Sequence, residues 1–311
     1  MESIQKVIEW ISQNHSKYNI RIEQDNWVSE YIQGPYHYTT YIEHDGISTY
    51  GISFDFNEDL AILKSFSEAI ERYFTRRLKL KNTNGCSVHL TQDRAKLNAE
   101  HEILERDAFL TNFYTQYSCS RLKSKFFDLK LKSLEKQIVN LGGSTSFHEL
   151  KSADNCTITV CFLRPSKEHG VIIGAKYGRN KQLPALLEVL LDFIYFLKGN
   201  NKTVSFNEFI NLEDPNFRDH LALSLNKEYF SSFLSRVDFS STQCIQVPFK
   251  FQHNIYDLSE SIFEGLPMFF CHAESNELQT LYSGVPTPKK MNLNRLNVNF
   301  EDIAKIVHIF S

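Results

Sequence analysis

The sequence predicts an α+β fold in which mixed β-sheet layers pack against helices, and three stretches carry that prediction. Residues 20–56 are β-like, rich in Tyr, Ile and Thr and interrupted by turn signals. Residues 60–113 read as two helices separated by the turn dipeptide Asn84-Gly85. Strand-like runs at 156–163 and 171–175 then lead into a third long helix.

Taken in order, Ile4, Val7, Ile8 and Ile11 share one face of a short helix over 3–13. Gly34-Pro35 and Asp45-Gly46 mark turns in the β-like region, the second a hairpin signal. His37 and His44 lie there as lone strand histidines, which read as structural. In the first glutamate helix Leu63, Phe66, Ile70 and Phe74 form the apolar stripe. Lys64, Glu68 and Glu71 fall on a neighbouring face at about 100° per residue. In the second, which Thr91, Gln92 and Asp93 open as cap and acidic first turn, Leu97, Leu104 and Ala108 form the stripe. Asn98, Glu102 and Glu105 share its adjacent face. A further helix is predicted over 133–141, closed by Gly142-Gly143. The third long helix has Pro184 near its first turn and runs to about Leu197. Near the end, 278–284 reads as a strand closing on Gly284, and 303–310 reads equally as an amphipathic helix or as a terminal tail.

Composition bounds the function. With 311 residues, 42% hydrophobic and 23% charged, the chain has an ordinary globular composition and ample material for a core, read as a single domain over 1–311. Lys+Arg of 34 against Asp+Glu of 37 leave a net charge of −3, which argues against nucleic acid as a partner. Cys86, Cys119, Cys156, Cys161, Cys244 and Cys271 form neither a zinc pattern nor a disulfide framework. No apolar signal core and no run of about 18 apolar residues is present, so a cytoplasmic protein without a membrane span is expected.

The chemistry-bearing feature is a phrase stated twice: Glu-Ala-Ile-Glu-Arg at 68–72 and Glu-Ile-Leu-Glu-Arg at 102–106. Each helix thereby presents two carboxylates one turn apart at the border of its buried face. Four carboxylates in one cleft repel and need compensating cations, which Mg²⁺ carrying a polyphosphate supplies through oxygen ligands. The plain alternative is ordinary solvated glutamates on amphipathic helices. The interval between the copies also equals the tetratricopeptide period, but no third copy follows. His101-Glu102 begins a zinc-protease motif that fails, because Glu105 stands where the second His is needed.

The run from Lys64 to Tyr73, then Asn84-Gly85-Cys86, then Glu102 to Ala108, resembles the core of the YcaO family, and Gly85 to His89 resembles its microcin-type, azole-forming members. The resemblance implies a YcaO-like fold whose ATP and Mg²⁺ site is lined by the two Glu-x-x-Glu helices. It places Glu68, Glu71, Glu102 and Glu105 on magnesium, and Lys64, Asn84, Arg106 and Asp192 on the nucleotide. Asp192 stands where the family carries a glutamate followed by Gln-Ser-Arg, with Tyr195 and Phe196 in place of the polar residues; Arg179 and Arg218 are the substitutes on offer. Asp219-His220 resembles a segment of azoline-forming members, and the His308-Ile309-Phe310 ending keeps the outline of their tail without its prolines. Gly51 stands where the family has a glycine-bearing strand end.

The implied activity is ATP-dependent cyclodehydration. Cys, Ser or Thr of a ribosomally made precursor peptide becomes a thiazoline or oxazoline after phosphorylation of the backbone amide oxygen, as in bacteriocin biosynthesis. Thioamide or amidine formation on the same scaffold is the alternative, and a non-catalytic scaffold of a modification complex is the reading from another class. The resemblance also implies an E1-like or leader-peptide-binding partner, with a homodimer as a further option. The sequence names no general base.

Overall fold

Asn57 opens the first long helix. Its side-chain carbonyl accepts the Leu60 N–H at 3.0 Å, and Glu58 and Asp59 face the positive end of the helix dipole. In the computed structural model, which describes residues 2–80, 83–115, 120–122, 128–200, 202–234 and 251–308, this helix belongs to the first of two compact units. Unit one comprises 1–103 and 253–275, and unit two comprises 104–252 and 276–311.

Unit one begins with α1 (Glu2–Asn14) and the strands β1 (Ile20–Gln24), β2 (Tyr36–His44) and β3 (Ile47–Asp55), which form an antiparallel sheet in that order. Asp45-Gly46 makes the hairpin that the sequence predicts, with His44 opposite Ile47. The helix opened by Asn57 is α2 (Glu58–Arg77), and it packs on β3. Gly51 permits the approach, since a Cβ there would lie 2.2 Å from the Ser65 carbonyl oxygen and 2.3 Å from the Ala69 nitrogen. The strand β4 (Cys86–His89) follows, and then α3 (Gln92–Thr115), whose residues up to Ile103 belong to unit one and whose remainder belongs to unit two. Trp10, Phe66, Ile70, Phe74, Phe263 and Phe270 lie in the apolar core of unit one.

Unit two has its own four-stranded antiparallel sheet of β5 (Ser120–Arg121), β6 (Ser144–Lys151), β7 (Thr157–Arg164) and β8 (Ile172–Tyr177), in sequential order. The helix α4 (Leu129–Asn140) precedes β6, and α5 (Gln182–Leu197) packs on β8. Gly174 repeats the role of Gly51, because a Cβ there would meet the Ala185 carbonyl oxygen at 2.4 Å. Short helices complete the unit: α6 (Phe206–Ile210), α7 (Phe217–Ser224), α8 (Lys227–Leu234), α9 (Leu293–Leu296) and α10 (Phe300–Ile303). The remaining strands, β9 (Asn254–Asp257) and β10 (Phe269–Glu274), return to unit one and give the order β4-β10-β9.

Several sequence expectations change. Leu97 is 37% exposed, and the buried stripe of α3 runs through Ala95, Ala99, Ile103, Leu104 and Ala108 instead. The strand β6 was not predicted, and 278–284 is irregular rather than a strand. Of 303–310, only Ile303 is helical among the described residues, which continue as turn and coil to His308; Ile309 and Phe310 lie outside them, as do Cys119 and Cys244. Among the described residues no helix is long and apolar enough to cross a membrane.

Candidate functional site

The sheet orders explain how the helix glutamates are held. Among the described residues β3, β4 and β8 are edge strands, so alternate N–H groups on their outer sides have no strand partner there, and a buried N–H needs an acceptor. In unit one Glu68 accepts the Ile52 N–H of β3 at 2.7 Å, and Glu71 accepts the Val88 N–H of β4 at 2.6 Å. In unit two Glu105 accepts the Tyr177 N–H of β8 at 2.7 Å, and Glu188 of α5 accepts the Ala175 N–H at 3.1 Å. Four carboxylates are therefore fixed by one oxygen each to a rigid strand.

Within unit one the charges are crowded. Burial, then the nearby carboxylate of Glu102, push the Glu71 carboxyl well above the usual value; the Val88 N–H opposes this, and Glu68 adds to it. Glu68 is balanced by Arg72 one turn along α2, at 2.5 Å, and Arg72 is itself tied to the Tyr50 carbonyl at 3.0 Å and stacked on the Tyr50 ring. Lys64 is exposed and pairs with Asp55 at 2.5 Å, not with Glu68 four residues on. Asn84 is half-buried in the turn ahead of Gly85, and its backbone hydrogen-bonds His272. Gly85 has φ +76°, and a Cβ there would sit 2.1 Å from the Ala273 carbonyl oxygen, so this turn admits only glycine without rearrangement. Burial pushes the neighbouring Cys86 thiol up to about 12, which keeps it protonated and poorly nucleophilic at neutral pH.

Within unit two, Glu105 is 6% exposed. Burial raises its carboxyl; Lys176 opposes the rise, Glu188 adds to it, and Arg106 also opposes. Lys176 of β8 forms an ion pair with Glu188. Burial works against the Lys176 charge, but Glu188 and Glu105 outweigh it and hold the ammonium above the usual lysine range. Asp192, one turn beyond Glu188 on α5, lies elsewhere electrostatically: burial lifts its carboxyl to about 6 and Arg218 draws it back. The sequence resemblance points to Asp192 on α5, whereas the strand-bound carboxylate of that helix is Glu188. The available signal was the glycine: Gly51-Ile52 with Glu68, and Gly174-Ala175 with Glu188, are the same device.

Asp219-His220 has a structural explanation. Asp219 completes a capping box at the start of α7, accepting the Asn216 N–H at 2.8 Å. His220 is fully buried: one ring nitrogen donates to the His308 carbonyl and the other accepts the Gly284 N–H, both at 2.8 Å. Arg179 is exposed and donates to the Thr157 hydroxyl at 3.2 Å.

Residues 71–169 match the model of the YcaO cyclodehydratase family, described as ATP- and Mg²⁺-binding. The structure of YcaO from Methanopyrus kandleri, bound with AMPPCP and Mg²⁺, superposes with a TM-score of 0.61 at 12% identity, covering 93% of this chain and 96% of that one. The chain has the YcaO fold. Two further structures share the YcaO fold of this chain. A heterocyclase in complex with substrate and cofactor gives a TM-score of 0.59 at 9% identity, over 87% of this chain and 52% of that one. The E. coli microcin synthetase McbBCD complex gives 0.51 at 9% identity, over 78% and 85%. No curated protein matches the chain.

Proposed function

We propose that this YcaO-fold chain is an ATP- and Mg²⁺-dependent enzyme that activates backbone amides of a ribosomally made peptide and closes thiazoline or oxazoline rings on its Cys, Ser or Thr residues. The observation that carries this reading is the carboxylate set of unit one. Glu71 is fixed to Val88 and pressed by Glu102 and Glu68, which raise its carboxyl, so a cation arriving beside it would relieve that crowding. The donor chemistry fits magnesium, which takes one or two carboxylates together with phosphate oxygens and water rather than an all-protein cage. Among the described residues no group of three or more His, Cys, Asp or Glu side chains that could hold a metal ion is gathered.

In this reading Glu68, Glu71, Glu102 and Glu105 are the magnesium ligands, and Glu188, beside Glu105 in unit two, is a further candidate. Lys64, Asn84, Arg106 and Asp192 meet the nucleotide or orient the carboxylates. When bound, Mg²⁺ supplies positive charge against the phosphate oxygens. The substrate side chain loses its thiol or hydroxyl proton to solvent and attacks the preceding carbonyl carbon, and the former carbonyl oxygen takes the γ-phosphoryl group while ADP leaves. The amide nitrogen then loses its proton, the C–O bond breaks with departure of phosphate, and the ring C=N forms. The protein's own contribution is positioning and charge balance on rigid elements. We take 1–311 as one YcaO-like domain, cytoplasmic, working on its peptide with an E1-like or leader-binding partner, as a monomer or a homodimer. The neighbours solved with substrate and cofactor and as a McbBCD complex support a peptide substrate and a partner.

The test is the intact mass of a candidate precursor peptide after incubation with the chain, its partner and ATP·Mg²⁺. Loss of one water per ring, abolished by Glu71→Gln, supports the proposal. Exchange of oxygen for sulfur moves it to thioamide formation. An unchanged mass with no nucleotide bound refutes the enzyme and leaves a scaffold.

A further inference from the structure

The cation of unit two is placed differently from that of unit one, although the strand–helix device is the same. In unit one the counter-ion of the strand-bound glutamate is Arg72, which comes from the same helix and is locked by Tyr50. In unit two it is Lys176, which comes from the strand itself. Its residue lies between Ala175 and Tyr177, whose N–H groups bind Glu188 and Glu105. Strand alternation puts Lys176 on the same sheet face as Gly174, the face against which α5 packs, so its stem runs toward Glu188. A lysine carries its charge on a flexible four-carbon stem and swings more freely than a stacked arginine.

We propose that Lys176 is a resident cation that balances Glu105 and Glu188 in the empty protein and is displaced when a divalent cation arrives, so that it sets how tightly this half of the carboxylate set takes that cation. The inference rests on the function proposed above and deepens it. The two carboxylates exchange one charge-balancing partner for another: the ammonium leaves Glu188, the divalent ion enters, and no covalent bond changes. With the strand N–H bonds holding both glutamates in place, removing the ammonium leaves a preformed pair with nothing to displace.

The experiment is a titration of the full chain with Mn²⁺, with and without ATP, read by the electron paramagnetic resonance signal of the free ion. Lys176→Gln is expected to tighten Mn²⁺ by roughly tenfold or more, because a like charge beside the entering ion is gone. Lys176→Arg, which keeps the charge, is expected to stay near the parent. Lys176→Gln combined with Glu188→Gln is expected to lose the gain. A purely structural lysine predicts the opposite order, so a Lys176→Gln protein that melts like the parent but binds Mn²⁺ equally or more weakly overturns the inference alone. A parent chain that binds no Mn²⁺·ATP overturns the proposed function itself and this inference with it.

Discussion

Glu71→Gln and Glu71→Ala remove the same charge but differ in what they leave for the Val88 N–H. A glutamine carbonyl still accepts that bond. Alanine leaves the N–H of a residue only 5% exposed without its acceptor, at a cost of about 1–3 kcal/mol. The charge itself works the other way. Burial and then Glu102 hold the Glu71 carboxyl well above its unfolded value, so the folded state binds this proton more tightly than the unfolded one. Stability from such a group is present below the unfolded pKa of about 4.3 and falls as pH rises toward the folded value. At pH 7 the neutral glutamine is therefore expected to be at least as stable as the parent, and alanine about 1–3 kcal/mol below glutamine. At about 2–4 °C per kcal/mol, calorimetric melting resolves that gap. In the same preparations, Mn²⁺·ATP titration is expected to show loss of affinity in both variants. Equal melting of Gln and Ala would refute the strand-fixing argument. Undiminished Mn²⁺·ATP affinity in Glu71→Gln would remove Glu71 from the metal set.

Other expectations follow from the same geometry. Gly85 and Gly46 both have positive φ, but a Cβ at Gly46 meets nothing within 4 Å whereas one at Gly85 meets a carbonyl oxygen at 2.1 Å. Gly46→Ala is expected to cost about 1 kcal/mol and Gly85→Ala about 3 kcal/mol or more, measured by urea unfolding. Burial lowers the His220 pKa to about 4, so the folded state keeps this ring neutral while the unfolded chain protonates it below about 6.5. Stability of about 3 kcal/mol is then expected to be lost as pH falls from about 6.5 toward 4, and His220→Gln is expected to flatten that part of the stability–pH curve. Arg295 donates to both oxygens of Asp107, a buried pair at 2.7–3.2 Å in unit two. Arg295→Ala strands the carboxylate and is expected to cost about 3–5 kcal/mol, while a double replacement with Asp107→Ala is expected to cost less than the sum of the singles.

What was legible in the sequence was whatever local physics decides. Asp45-Gly46 gave the hairpin, the apolar spacing from Leu63 to Phe74 gave α2, and Pro184 gave the start of α5. The stripe of α3 was misassigned to Leu97 because a large apolar residue outweighs alanines in any pattern, yet Ala95 and Ala99 occupy the buried face. The strand β6, Ser-Thr-Ser-Phe-His-Glu-Leu-Lys, reads as polar because few of its inward residues are aliphatic. Asp219-His220 looked chemical in sequence, but what it does depends on Gly284 and His308, far along the chain and invisible to any local window.

The carboxylates teach a different point. Read from the sequence, a solvated structural glutamate and a metal-binding glutamate are competing explanations. In the fold they are not in competition, because an edge strand needs an acceptor for its outer N–H and a divalent ion needs a carboxylate that does not move. Glu68, Glu71, Glu105 and Glu188 meet the first need, and meeting it supplies the rigidity that the second demands. It follows that neither the presence of these glutamates nor a loss of stability on truncating them separates a YcaO-fold enzyme from a YcaO-fold scaffold, since a scaffold has the same edges to protect. The discriminating property is charge at fixed geometry. A set kept only to protect edges tolerates glutamine at every one of these positions, whereas a set kept for Mg²⁺·ATP fails at the first.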